Sequence, residues 1–280
     1  MPFRGVTMEF FQCEKITPNI TLISDLVGVH AFLIEGSQKA ALLDTCNGIG
    51  NLKTLVESLT SLPLEVICTH GHVDHAGGAY GFERVFLNEK DFELVKHHTD
   101  LEFRIRDSAV FLGQGTVPRE SYMPQRTNGY ENLVNGQVFD LGGITLEAAA
   151  FPGHTQGMMA ILVRESRIML LGDGCNSRTF MFLPDSTSIE EYKYSLQNLL
   201  DRYVDKFDTV WFSHGPFSGS KAIVKESIEL CGEIMAGTTD NLPFEFMGMT
   251  GCLARATLPD GSRADGKQSN IVFNPNKILA

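Results

Sequence analysis

No stretch of the 280 residues approaches the ~20 consecutive apolar positions of a membrane span, so a transmembrane helix is excluded. Runs of Lys or Arg are missing too. The net charge of −11 has the wrong sign for a nucleic-acid footprint. Met1 to Cys13 lacks the basic region, apolar core and small-residue cleavage site of a signal peptide. Cys13, Cys46, Cys68, Cys175, Cys231 and Cys252 form no CxxC pair and no compact framework, a usage that points to reduced, mostly buried thiols and a cytoplasmic setting. No Pro/Gly/Ser-rich linker and no short repeat divides the chain, so residues 1–280 are expected to form one domain. Apolar content of 43% and charged content of 20% are those of a globular chain long enough to bury a sizeable core.

What is present is concentrated in Thr69-His70-Gly71-His72-Val73-Asp74-His75-Ala76-Gly77-Gly78. Four of the six residues from His70 to His75 carry metal-binding side chains, and they follow a β-branched apolar run, Leu64 to Cys68, that reads as a buried strand. Neutral imidazole and carboxylate are donors that zinc and similar ions prefer. His70 and His72, two apart, point the same way on an extended stretch, whereas Asp74 and His75 diverge by roughly 100° once a helix begins. One segment can therefore offer two donors to one ion and two to a second ion about 3.5–4 Å away. Gly71, Gly77 and Gly78 permit tight turns beside them.

His70-Gly71-His72-Val73-Asp74-His75 resembles the signature of the metallo-β-lactamase fold superfamily of binuclear hydrolases. Three further donors follow in order, each just past an apolar run and next to a glycine: His154 in Gly153-His154-Thr155, Asp173 after Leu170-Leu171-Gly172, and His214 in Ser213-His214-Gly215. The resemblance covers roughly residues 18 to 236. It implies an α/β fold, a four-layer αβ/βα sandwich of two mixed β-sheets flanked by helices. It also implies two divalent metal ions, zinc foremost with iron or manganese as alternatives. One would lie on His70, His72 and His154, the other on Asp74, His75 and His214, with Asp173 bridging. Coordination of this kind brings the pKa of water from 15.7 to about 7. Asp74 is then the proton shuttle to the leaving group. In the family pattern an Asp at the position of Asp44 braces the histidine loop; on its own, Asp44 reads equally well as a turn residue capping the helix from Asn51 to Leu59.

Along the rest of the chain, a hairpin is expected from Ile20–Ser24 and Val29–Glu35, then a strand at Ala40–Asp44. Leu52, Leu55, Val56 and Leu59 mark the core stripe of a helix. The segment 91–137 interrupts the strand–helix alternation with two short helices (Lys90–Thr99 and Leu101–Leu112) and a turn-rich end. Since 78 residues separate His75 from His154, it is expected either to cover the sheet surface or to insert as a lid over the metal site, with His97 and His98 solvated. Strands are expected at Gln137–Leu141, Ile144–Phe151, Met159–Val163, Arg167–Leu171 and Asp208–Phe212, and helices at Ile189–Tyr203 and Lys221–Met235. Thr179 to Pro184 is an apolar patch tethered near the ions, readable as core or as a wall for an apolar substrate group. Residues 237–280 form a C-terminal extension whose hairpin, Cys252–Leu258 with Ser269–Phe273, turns at Pro259-Asp260-Gly261-Ser262.

Against the family background, His72 stands where oxygen-reducing diiron relatives usually carry Glu, which favours hydrolysis. Asp173 stands where zinc β-lactamases use Cys, which weighs against β-lactams. Gly174-Cys175-Asn176-Ser177 lacks the Tyr usual in acyl-homoserine lactonases, and Arg255, Arg263 and Lys267 do not make the basic helical tail of glyoxalase II enzymes. Cys175 has no base assigned to it and reads as packing. The expectation is a hydrolase of a small ester, thioester or lactone, with no nucleic-acid or membrane partner and homodimerisation left open. The alternatives are a ligand-sensing protein that retains the metal site, a phosphodiesterase, or an iron-dependent redox protein.

Overall fold

The computed structural model describes residues 6–280, which divide into two compact units. The first comprises the chain to Glu147 together with Ser213–Gly215, and the second Ala148–Phe212 with Pro216–Ala280.

The first unit opens with β1 (Val6–Met8), β2 (Phe11–Thr17), β3 (Ile20–Asp25), β4 (His30–Glu35) and β5 (Ala40–Leu43), each antiparallel to the next. Helix α1 (Leu52–Leu59) then carries the chain back, so that β6 (Leu64–Ile67) lies parallel to β5. Its stripe of Leu52, Leu55 and Val56 is buried, and the Asn51 side chain caps it by accepting from the Thr54 N–H. After the one-turn helix α2 (Val73–Ala76) come β7 (Val85–Leu87), α3 (Phe92–His98), α4 (Leu101–Leu112) and β8 (Glu131–Asn132). The sheet runs β1 to β8 in order, with β7 and β8 parallel to their neighbours, so it is mixed. Strand β9 (Val138–Asp140) pairs antiparallel with the start of β10 (Thr145–Ala150). Strand β5 is buried at every position, and a strand covered on both faces reads as an unbroken apolar run.

In the second unit, β10 continues beside β11 (Met159–Val163) and β12 (Ile168–Leu170); β13 (Thr179–Met181) and α5 (Ile189–Tyr203) follow. Ser188 and Glu191 close a reciprocal capping box on α5, and Tyr192, Leu196 and Leu199 are its buried stripe. Then come β14 (Thr209–Trp211), parallel to β12, β15 (Ser218–Ser220) and α6 (Ala222–Met235), which packs on α5. The main sheet of this unit has the order β15-β14-β12-β11-β10. The tail departs from expectation. Strands β16 (Leu242–Phe246) and β17 (Met249–Leu253) form the hairpin, and β18 (Ile271–Phe273) joins β17 at only two positions, Cys252 with Phe273 and Leu253 with Val272. With β13 beside β18, these strands make a separate sheet, β13-β18-β17-β16. The anticipated strand Cys252–Leu258 ends at Leu253: the Ala254 N–H still donates to the Ile271 carbonyl, but at Arg255 the backbone N–H and carbonyl pair with the Asn270 side chain instead of the neighbouring strand.

Both units are mixed α/β with helices against mixed sheets. All six cysteines are free, and no helix among the described residues is long and apolar enough to cross a membrane.

Candidate metal centre

Strand β6 ends at Ile67, and the chain continues through Thr69 to the histidines while still covered by neighbours: His70 and His75 are fully buried and His72 nearly so. His72 keeps extended backbone and serves as N-cap of α2, whose first turn carries Asp74 and His75, the His75 ring lying 4.0 Å from that of His70 between centroids. The loop after β5 packs tightly against this turn. A Cβ on Gly78 would lie 2.1 Å from the Thr45 carbonyl oxygen, so only glycine fits there.

Asp44 organises the imidazoles. Its Oδ2 accepts from His75 Nδ1 at 2.8 Å, and its two oxygens also accept from the Thr69 N–H (2.7 Å) and hydroxyl (2.9 Å). Because that hydroxyl gives its proton to Asp44, Thr69 Oγ1 is left to accept from His70 Nδ1 at 3.1 Å. One carboxylate thus sets the tautomer of two histidines and leaves each Nε2 as the donor atom for an ion. The capping role weighed for Asp44 belongs to Asn51 instead.

His214 arrives from far along the chain. It forms an isolated antiparallel bridge with Val29, and His30 N–H donates to the Ser213 carbonyl at 2.8 Å. Its Nε2 lies 3.1 Å from Asp74 Oδ2, and His75 Nε2 lies 3.4 Å from the same oxygen. Burial alone would push the Asp74 carboxyl up, but the adjacent His75 and His214 outweigh it and hold the group well below the usual carboxylate range. Donor atoms of His70 and His72 lie within 4.8 Å of each other, as do those of Asp74, His75 and His214.

The segment 91–137 lies directly on this loop. Asp91 Oδ2 accepts from the Gly71 N–H at 2.9 Å. The buried Arg104 guanidinium donates to the carbonyls of Thr99 (3.1 Å), Gly48 (3.4 Å), Gly77 (3.5 Å) and Met123 (2.6 Å). His97 is exposed as expected, but His98 is not solvated: its half-buried ring stacks on His72 at 4.9 Å between centroids, with Phe103 on it at 4.5 Å. Asp107 on α4, which no sequence motif singles out, is buried, with no hydrogen bond or ion pair among the described residues. Burial, reinforced by the Asp74 charge, pushes its carboxyl up to about 7.

The second unit holds the other two donors, His154 Nε2 and Asp173 Oδ2, 3.8 Å apart. His154 is oriented at both ends: its Nδ1 meets the Phe180 carbonyl at 2.7 Å, and the Ser186 hydroxyl donates to its backbone oxygen at 3.0 Å. Cys175 is wholly buried with its Sγ 3.2 Å from the Ser227 hydroxyl, and burial pushes the thiol up to about 11; it has the surroundings of a packing residue.

Imidazole nitrogens with their opposite faces fixed, set beside carboxylate oxygens, are the donor set of a borderline divalent ion. The model of the family described as Metallo-beta-lactamase superfamily matches residues 24–206, most of the chain. The chain belongs to the metallo-beta-lactamase superfamily. Among curated members it is similar to the acyl-coenzyme A thioesterase MBLAC2 of Homo sapiens, 23% identical over 192 residues, 61% of this chain and 67% of that protein. It is also similar to the atrochrysone carboxyl ACP thioesterase of Passalora fulva, 25% identical over 203 residues, 68% of this chain and 52% of that one. The chain therefore spans about two thirds of the first relative and about half of the second. Among solved structures, a metallo-beta-lactamase from Pontibacter korlensis aligns with a TM-score of 0.57 at 18% identity, covering 78% of this chain and 97% of its own. That likeness is one of fold.

Proposed function

We propose that this superfamily member is a binuclear metal-dependent hydrolase of acyl thioesters, with esters and lactones as weaker substrates. The observation that carries the reading is the donor set braced by Asp44: three buried imidazoles and the Asp74 carboxylate on one turn, with His214 brought to it. The names of the thioesterase relatives favour thioesters among the carbonyl substrates.

In this reading His70, His72 and His154 would hold one ion and Asp74, His75 and His214 the other, with Asp173 as a further carboxylate donor. When bound, two divalent ions supply water ionised near neutral pH and polarise a carbonyl oxygen. Zinc suits this donor set best, and iron or manganese would also be accepted. The chain's own residues do the rest. Asp44 and Thr69 hold the His75 and His70 rings in one tautomer, and the Phe180 carbonyl does so for His154. Hydrolysis forms a C–O bond from water and breaks the C–S bond. Asp74, on the turn that carries His70 to His75, relays a proton from water to the departing thiolate.

The test is metal content per chain together with chelator-sensitive turnover of a panel of thioesters, esters and lactones. Two equivalents of metal and thioester turnover that falls by about three orders of magnitude in Asp74→Asn support the reading. Two equivalents of metal without turnover on any member of the panel would instead identify a ligand-binding protein.

A further inference from the structure

Burial does not hold His214 as it holds the other imidazoles of the first unit. Its side chain is 40% exposed, whereas His70 and His75 are fully buried. An exposed imidazole on a loop loses rotamer and backbone freedom when it joins an ion, unless bonds made beforehand have already fixed the loop. Such bonds come from the β3–β4 hairpin, and one residue, His30, supplies those on both sides of the donor. Its backbone N–H donates to the Ser213 carbonyl at 2.8 Å, and its ring Nε2 lies 2.9 Å from the Gly215 carbonyl. Val29, the residue before it, forms the bridge to His214 itself.

The ring is prepared for this contact. A carbonyl oxygen only accepts, so Nε2 carries the proton and Nδ1 of the neutral ring is left as an acceptor. Ser24, directly opposite His30 in the β3–β4 register, places its hydroxyl 2.8 Å from that Nδ1. One hydroxyl thus selects the tautomer that grips Gly215.

The same hairpin is tied to the loop that governs His75. Asp25 Oδ1 accepts from the N–H groups of Val27 (2.9 Å) and Val29 (3.0 Å), which fixes the turn, and its Oδ2 accepts from the Asn47 N–H at 3.3 Å. Asn47 stands three residues after Asp44, the carboxylate that holds the His75 ring. A continuous run of bonds therefore spaces His75 from His214, and neither Ser24, Asp25 nor His30 is in the donor set.

We propose that His30, oriented by Ser24, is a positioning residue that preorganises His214 for the ion of Asp74 and His75. The inference rests on the binuclear reading and adds to it a residue that touches no ion.

The experiment compares wild type with His30→Leu, which deletes both ring contacts, and His30→Gln, whose side-chain amide N–H still reaches a carbonyl. Each full-length chain is stripped of metal and checked for an unchanged circular dichroism spectrum. The first readout is zinc uptake in competition with a chromogenic chelator, resolved into two equivalents. The second is backbone hydrogen exchange over residues 212–217 in the metal-free protein. His30→Leu is expected to weaken one equivalent about 10–100-fold, to leave the other within about twofold, and to speed exchange about tenfold; His30→Gln recovers most of both. Should His30→Leu not fold, Ser24→Ala carries the same test, with one equivalent weakened about threefold.

If wild type binds two equivalents and His30→Leu binds both as tightly, the inference is overturned while the binuclear reading stands. Equal weakening of both equivalents, or no recovery in His30→Gln, marks a general packing role and also overturns it. If wild type binds fewer than two, the binuclear reading fails and exchange decides alone. Faster exchange in His30→Leu that His30→Gln reverses then supports the clamp on the His214 loop, and equal exchange overturns it.

Discussion

At the scale of single residues, Asp44 and Asp107 are two buried carboxyls with opposite circumstances. Asp44 is saturated with donors, and its backbone sits at φ 63°, a conformation Asn tolerates better than Ala. Asp44→Asn therefore keeps the backbone while removing the charge that fixes the His75 tautomer. It is expected to weaken metal binding about 10–100-fold, measured by competition with a chromogenic chelator. Asp107 has no partner among the described residues, and its pKa in the folded chain, about 7, stands above the ordinary 3.8. The folded state then holds a proton that the unfolded state has released, so stability falls as pH rises from about 4 to about 7. The metal-free protein should lose up to about 4 kcal/mol over that range from this group, since each pH unit between the two values costs about 1.4 kcal/mol. Asp107→Asn should flatten that slope and raise stability above neutrality by about 2 kcal/mol, read by denaturant unfolding of the apo protein at a series of pH values.

At the scale of elements, the segment 91–137 is stitched down as well as laid over the loop. Arg104 gives α4 donors to four backbone carbonyls, and Tyr122 bridges Ile49 while its hydroxyl meets Ser108 at 2.6 Å. Arg104→Met should leave those carbonyls without their donor and lower stability by about 3 kcal/mol, with hydrogen exchange in α3 and α4 rising before the rest of the first unit. Helices α1, α5 and α6 were legible because their apolar spacing is helical over two or more turns and caps such as Asn51 and Ser188 stand at the start. Strand β16 was not: its Pro243 and Glu245 are exposed, and only the pairing with β17 makes it a strand. His98 misled for a related reason. Its own helix is charged and reads as solvated, whereas the ring that covers it belongs to His72, in a different element. The clustering of His70 to His75 was legible because local order alone puts them on one turn, but the bracing of His154 by Phe180 uses a backbone carbonyl and leaves no trace in residue type.

At the scale of the whole molecule, ligand linkage should dominate stability. Ions that bind only the folded chain stabilise it by about 2.7 kcal/mol at a hundred times Kd, so the melting temperature should rise with added zinc and fall on chelation in a concentration-dependent way. An unchanged transition across such a titration would sink the proposed binuclear site.

The first unit is discontinuous, since Ser213–Gly215 return to it and bring His214 to the donors on α2. Synthesis is vectorial, at about 5–20 residues per second, so the ribosome delivers His214 many seconds after the histidines it must join. A nascent chain that has emerged only as far as β10 lacks His214, so in the proposed binuclear reading capture of a cation near Asp74 waits until the strand after α5 has been made. Maturation of the proposed centre is thereby coupled to the synthesis of a strand far past its signature motif rather than to the appearance of that motif.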